Sequence, residues 1–217
     1  GAEAEHMEPM LKKGVAAALF APTTGTVNPW QLGIAAYENA LQNGAEAMTG
    51  TELTGIRREG DGYVLSTSRG EFAAGMVFNC AGLSADKIQE LAFEPTVRLA
   101  LDSAEYLVFD PAMKKSEMVI FHQADRCGKG ITAIPCTEGN LLISGVRKPL
   151  TAPFVTTWEG LQELYRSAEE LLPGLDRTKV IRSFGAVRPN PYTKSSESVH
   201  DFCIENPAPY KYVKASH

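Results

Sequence analysis

Apolar residues follow two different periods along this chain. Trp30, Ile34, Tyr37 and Leu41 recur every three or four residues, and so do Trp158, Leu161, Tyr165, Ala168 and Leu172. That spacing gathers side chains on one face of a helix. Each stripe has matching ends. Asn28, Pro29 and Gln31 give a capping residue, a proline at the first helical position and a capping box, and Asn43-Gly44 supplies a left-handed stop. Thr156 with Glu159 predicts a second capping box, and Pro173-Gly174 ends the helix that follows. Both tryptophan stripes read as core faces.

Elsewhere apolar residues form short runs between turn residues. Val15 to Ala21 reads as a buried strand and Ala45 to Met48 as a short one. Glu52–Arg58, Tyr63–Thr67 and Glu71–Phe78 are separated by Asp61-Gly62 and Arg69-Gly70, which predicts an antiparallel meander. Thr96–Phe109 and Met118–Phe121 are strand-like. Ile131–Ile134 and Leu141–Val146 flank Glu138-Gly139-Asn140, a hairpin signal. Val180–Val187 delivers Arg188-Pro189-Asn190-Pro191, and Phe202–Glu205 and Tyr210–Val213 are two last short strands. Pro95 interrupts both periods, which places a seam near Glu94 to Thr96. The fold class is therefore α+β (mixed α/β).

One stretch draws attention to chemistry. Met76 to Ile88 reads as a buried strand, a glycine turn at Gly82 and the start of a short helix with Ser84 as its cap. Such a turn lets a ligand approach the backbone and aims free N–H groups at it. An ordinary strand-to-helix connection has the same pattern, so the local residues leave both readings open.

Composition narrows the function classes. The 217 residues are 44% hydrophobic and 22% charged, a globular balance with room for a sizeable core. Twenty-one basic against 26 acidic residues give a net charge of -5, with no electrostatic footprint for nucleic acid. The longest apolar run, Val15 to Ala21, falls far short of the ~20 residues of a membrane-spanning helix. Cys80, Cys127, Cys136 and Cys203 form no C-x-x-C pair, and the four histidines have no ligand spacing, so no metal site is expected. A reduced, cytoplasmic protein is the default, with Cys80 buried.

Four motifs then occur in a recognisable order: Pro22-Thr23-Thr24-Gly25-Thr26-Val27-Asn28-Pro29, Thr51-Glu52-Leu53-Thr54-Gly55-Ile56, Asn79-Cys80-Ala81-Gly82 and Gly185-Ala186-Val187-Arg188-Pro189. Together they resemble the FAD-dependent oxidoreductases of the D-amino-acid oxidase and glycerol-3-phosphate dehydrogenase family, closest to its glycerol-3-phosphate dehydrogenase and L-2-hydroxyglutarate oxidase branch. The resemblance implies a partial FAD-binding domain joined to an antiparallel-sheet substrate domain. Residues 1–27 become an entry segment and strand, 28–95 the second half of the FAD-binding domain, 96–190 the substrate domain, and 191–217 a return segment towards the FAD domain. The sequence contains no GxGxxG and no glycine-rich closing segment. It therefore reads as a middle piece of a flavoenzyme, expected to bind FAD weakly or not at all by itself.

The resemblance also assigns residues. The backbone near Leu53 and Thr54 would face the adenine end of FAD, and Ala81-Gly82 the pyrophosphate or ribityl chain. Arg188 would clamp the anionic group of a small substrate, since a rigidly held guanidinium suits a carboxylate or phosphate; a structural Arg–carboxylate pair is the alternative. Lys129 is a possible second cation or an exposed hairpin lysine. Tyr106 falls on a strand lining the active site, although Ser103-Ala104 replaces the basic residue and glycine often found before it. His122 is a possible base or polar wall, or a structural histidine. The implied activity is hydride transfer from an alcohol or amine to FAD, with no residue assigned to the chemical step and the electron acceptor unspecified. The competing reading is a non-catalytic module that binds a small anion or a partner protein.

Overall fold

The computed structural model describes residues 1–94, 97–113, 116–123, 130–145, 148–150, 156–193, 203–205 and 212–216. These residues form two compact units, Gly1–Gly44 with Ser103–Val187 and Ala45–Asp102 with Arg188–His217. Helices are α1 (Ala2–Met7), α2 (Pro29–Gln42), α3 (Ala85–Glu90) and α4 (Trp158–Leu171). Strands are β1 (Leu53–Glu59), β2 (Gly62–Thr67), β3 (Gly70–Ala74), β4 (Val77–Asn79), β5 (Val97–Phe109), β6 (Ile120–Phe121), β7 (Thr132–Pro135), β8 (Leu141–Ser144), β9 (Lys148–Pro149), β10 (Val180–Thr193), β11 (Cys203–Glu205) and β12 (Tyr212–Ser216). The fold is α+β, as the two periods predict.

The first unit holds β6, β7, β8, β9 and the parts of β5 and β10 from Ser103 and up to Val187, in a sheet of order β10-β5-β8-β7-β6 with β9 also pairing β5. Its register fixes two faces, because directly opposed residues share a side. Ile120, Ala133, Ile143 and Leu107 stand opposite one another in turn. They point into the core, where Ala133 and Ile143 are fully buried. Leu164, Ala168 and Leu171 of α4 close that core. The cap of α4 is Thr157, not Thr156: its Oγ1 accepts the Gly160 N–H at 3.1 Å. The buried stripe moves with it, so Trp158 lies outside the core and its ring instead faces the Arg177 guanidinium.

The N-terminal segment docks on the same core through Met10 and through Glu8. The Glu8 carboxylate, 4% exposed, accepts the Met10 N–H and the Ser116 hydroxyl. Residues 15–21 are not a strand and Leu19 is fully exposed, because an apolar run becomes a strand only when a neighbour pairs with it. α2 starts where predicted, with Asn28 Oδ1 accepting the N–H groups of Trp30 and Gln31. Its stripe is not core: Trp30, Ile34, Tyr37 and Leu41 are between 41% and 80% exposed, and no residue of α2 is buried.

In the second unit β1, β2 and β3 form the expected antiparallel meander. The run from Glu71 to Phe78 does not continue as one strand. Gly75 and Met76 interrupt it, and β4 joins a different sheet of order β11-β12-β4. There β12 pairs with β4 in parallel and with β11 antiparallel. Ile56, Tyr63 and Val77 form the small core, with Leu53, Ile88 and Phe93 packed around it.

Candidate functional site

In the second unit the turn after β4 is organised by Asn79. Its side chain is 3% exposed, Nδ2 donates to the Ala85 carbonyl (2.7 Å), and Oδ1 accepts the Ala81 N–H (3.2 Å). Gly82 has φ +54°, and a Cβ there would meet nothing within 4 Å. The glycine is thus required by backbone conformation, and the space beside it is open. Ser84 makes no side-chain cap, and α3 has only six residues. Close approach to backbone is what this turn offers a ligand, rather than a long helix terminus. Cys80, expected to be buried, is exposed on the same turn.

Leu53 and Thr54 come to the edge of the same unit. Leu53 packs against the cluster that contains Val77, the first residue of β4. The β1–β2 register shifts between Leu53 and Gly55, which leaves Thr54 as the extra residue of a bulge, with Oγ1 donating to the Ser66 carbonyl at 3.1 Å. Asp86 holds the short α3 in place, its carboxylate accepting the Lys87 N–H (2.9 Å) and the Leu99 N–H of β5 (3.2 Å).

Arg188 also belongs to the second unit. It lies half-buried in β10, which stands at the end of its strand order. Pro189 and Pro191 are two residues apart, so their missing N–H groups fall on the same side of the strand. That arrangement suits an edge and stiffens the backbone on which Arg188 is mounted. The carboxylate of Asp102 accepts the Asn190 amide at 2.6 Å. Among the described residues, no carboxylate pairs with Arg188.

Tyr106 belongs to the first unit, on the sheet face opposite α4. Register sets Phe121 opposite Thr132, Thr132 opposite Ser144, and Ser144 opposite Tyr106. The Tyr106 ring stacks on Phe184, with centroids 4.8 Å apart and planes 2° from parallel. Ile134, Leu142 and Val108 form the next row along the strands. His122 is exposed just beyond β6, its N–H donating to the Ile131 carbonyl at 2.9 Å. Gly130 packs so closely on it that a Cβ would lie 2.9 Å from His122 Nδ1. Lys129 lies outside the described residues.

The predicted residues therefore fall in two groups: Leu53, Thr54, Ala81, Gly82 and Arg188 in the second unit, and Tyr106 and His122 in the first. Thr132, Ser144 and Phe184 share Tyr106's face and went unremarked in the sequence. The hairpin turn at Glu138-Gly139-Asn140 fixes the β7–β8 register, so the Thr132–Ser144 pairing was open to prediction from it. Among the described residues there is no cluster of metal-ligating side chains, and no helix is long and apolar enough to cross a membrane.

Known proteins resemble this chain over most of its length. A glycerol 3-phosphate dehydrogenase from Caloramator mitchellensis is 30% identical over 186 residues, which are 84% of this chain and 39% of that protein. The glycine oxidase of Geobacillus kaustophilus is 27% identical over 189 residues, 86% of this chain and 48% of its own. The crystal structure of glycine oxidase from G. kaustophilus superposes with a TM-score of 0.79 at 25% identity, covering 99% of this chain and 55% of that one. An L-proline dehydrogenase from P. horikoshii, 20% identical, shares the fold with a TM-score of 0.82. The chain thus spans about two-fifths to just over half the length of these relatives. The model of the DAO family, FAD dependent oxidoreductase, matches residues 1–212, and the chain belongs to that family.

Proposed function

We propose that the chain contributes to a flavin-dependent oxidoreductase that oxidises a small anionic substrate: glycerol 3-phosphate, a 2-hydroxy acid or an amino acid. Residues 28–95 supply the second half of the FAD-binding domain, 96–190 the substrate domain and 191–217 the return segment. The residues present suit one side of a dinucleotide. In parallel sheets ligands lie beyond the carboxyl ends of the strands. β4, paired in parallel with β12, ends at Asn79 and is followed by the open space at Gly82. Ala81 and Gly82 would pass beside the pyrophosphate or ribityl chain, and Leu53 and the Thr54 bulge beside the adenine end.

The flavin supplies the redox chemistry when bound, accepting a hydride from the substrate C–H. This chain's task is to hold and aim the substrate. The observation that carries the reading is Arg188: half-buried, mounted next to Pro189, and without a carboxylate partner among the described residues. A cation in that state favours an anion from outside, and a guanidinium fork fixes its orientation.

The test is Arg188→Lys in the intact flavin-loaded enzyme that contains this chain, which keeps the charge and loses the fork. A bidentate charge-assisted contact is worth about 2–3 kcal/mol, so kcat/KM should fall roughly thirty- to a hundred-fold. Flavin content and melting temperature should stay put. A variant that melts much earlier yet keeps its efficiency per flavin-loaded molecule would retire Arg188 as a substrate residue.

A further inference from the structure

We propose that Asn190 and Asp102 are positioning residues for Arg188: the Asn190 amide holds the Asp102 carboxylate off the guanidinium and keeps it open to a substrate anion. The inference rests on the role proposed above for Arg188, and all three residues belong to the second unit. Arg188 and Asn190 each precede a proline, whose ring confines the residue before it to extended backbone. Residues two apart on an extended strand project from the same side. β10 runs beside β5 in the sheet, and there Asp102 of β5 meets Asn190, its Oδ2 accepting the Asn190 Nδ2–H at 2.6 Å. A residue beside Asn190 on the next strand is a diagonal neighbour of Arg188. Diagonal neighbours lie roughly 7–8 Å apart, within reach of a long side chain.

An arginine and an aspartate placed like this are expected to form an ion pair. They do not. Both are half-buried, and among the described residues neither has an ion-pair partner. What engages the carboxylate instead is a neutral amide, which donates a hydrogen bond and brings no charge of its own. Asn190 is well suited to the task. It stands between Pro189 and Pro191, whose rings fix the backbone on either side of it, so its amide is held where it meets Asp102. A substrate anion competes for a guanidinium with every carboxylate that can reach it. Tying Asp102 to Asn190 removes a competitor on the adjoining strand and leaves the fork of Arg188 free for a carboxylate or phosphate from outside.

The test uses the intact flavin-loaded enzyme that contains this chain, with Asn190→Ala, Asp102→Asn and the two combined. KM and kcat are measured for whichever of glycerol 3-phosphate, L-2-hydroxyglutarate and glycine it turns over. Reduced enzyme cannot turn over the substrate, so titration calorimetry on dithionite-reduced protein reads Kd alone. Asn190→Ala releases Asp102 to pair with Arg188, so KM and Kd should rise about fivefold, with kcat changed much less. The double variant has no carboxylate to release and should return both to near their wild-type values. A merely structural tie predicts a double variant as impaired as Asn190→Ala. Asp102→Asn alone keeps the hydrogen bond, loses the charge, and should lower Kd about twofold. Unchanged KM and Kd in Asn190→Ala, or no recovery in the double variant, overturns the pair. Where Asn190→Ala does not fold, an Asp102→Asn variant with unchanged Kd overturns it. If Arg188→Lys is impaired, these results leave the proposed function standing; if Arg188→Lys is not, both fall. No turnover of any of the three substrates also overturns both.

Discussion

α2 and α4 are both 14 residues long, both begin with a side-chain cap, and both carry an aromatic and aliphatic stripe at helical spacing. One is sealed against a sheet, and the other exposes every member of its stripe. The difference lies outside the helices. α4 packs into the core that holds Ile143 of β8 and Leu107 of β5, and the Glu105 carboxylate reaches back to accept its Thr157 N–H at 2.6 Å. α2 has no buried residue, and its cap Asn28 donates to the Glu138 carboxylate at the β7–β8 turn. Caps and periodicity decide that a helix forms and where it starts. Burial is decided by what the rest of the chain places opposite, and this pair separates the two causes.

The comparison is tested most forcefully by truncating one core-type residue in each helix. Leu164→Ala should destabilise by about 3 kcal/mol, since it opens a cavity among Leu107, Ile143 and Ala168. Ile34→Ala should stay within about 0.5 kcal/mol, as exposed sites do. Chemical denaturation of the two variants beside the wild type checks this. Equal losses would show that α2 is buried in solution, and the contrast would be gone.

A smaller effect of opposite sign comes from one substitution made twice. At Gly160 a methyl group would collide with the Glu105 carboxylate and sit 2.7 Å from Thr157 Oγ1, so Gly160→Ala should cost roughly 2 kcal/mol. At Gly33 a Cβ would meet nothing within 4 Å, so Gly33→Ala should stabilise by about 0.5–1 kcal/mol through helix propensity alone. A matched pair of thermal melts reads both. Two losses of similar size would mean that α2 is packed as tightly as α4.

The smallest effect concerns the tether. The Asn28 amide holds the Glu138 carboxyl below its ordinary 4.5. A depressed carboxylate favours the folded state above that ordinary value, and its contribution disappears as pH falls through the lower folded midpoint. Asn28→Ala should move the Glu138 midpoint up towards 4.5 in a carbon-detected NMR titration. The same change removes a cap and should cost about 1 kcal/mol, as Thr157→Ala should in α4. An unmoved Glu138 midpoint would mean that the tether is not formed in solution.

The same division explains what was legible in the sequence. Local signals were read well: the Asn28 cap, the β1–β3 meander, the β7–β8 hairpin, the stop at Pro173-Gly174. The errors concern what lies opposite. Residues 15–21 are apolar enough for a strand but find no pairing neighbour among the described residues, and Trp30 and Trp158 have helical spacing yet stay exposed. Cys80 follows a strand of alternating burial, where Val77 and Asn79 turn inward, and one-residue offsets of that kind are not marked in an apolar run. The shift of the α4 cap from Thr156 to Thr157 is another such offset. At the candidate site the motif residues around Gly82 and Arg188 stood out one by one. The face that Tyr106 shares with Ser144 and Phe184 did not, because these residues lie on three strands far apart in the chain.

The parallel pairing of β12 with β4 sets an order of events during synthesis. Val77 pairs with Tyr212, more than half the chain later. The β1–β3 meander closes over short turns and can form while the chain is still emerging. The strand that carries the glycine turn has to wait for almost the last described residues, and closing so long a loop is slow and entropically costly. Until then β4 leaves the ribosome with its hydrogen-bonding edge open, the kind of surface to which misassembly is drawn. The turn proposed to hold the cofactor is therefore among the last parts of this chain to be completed.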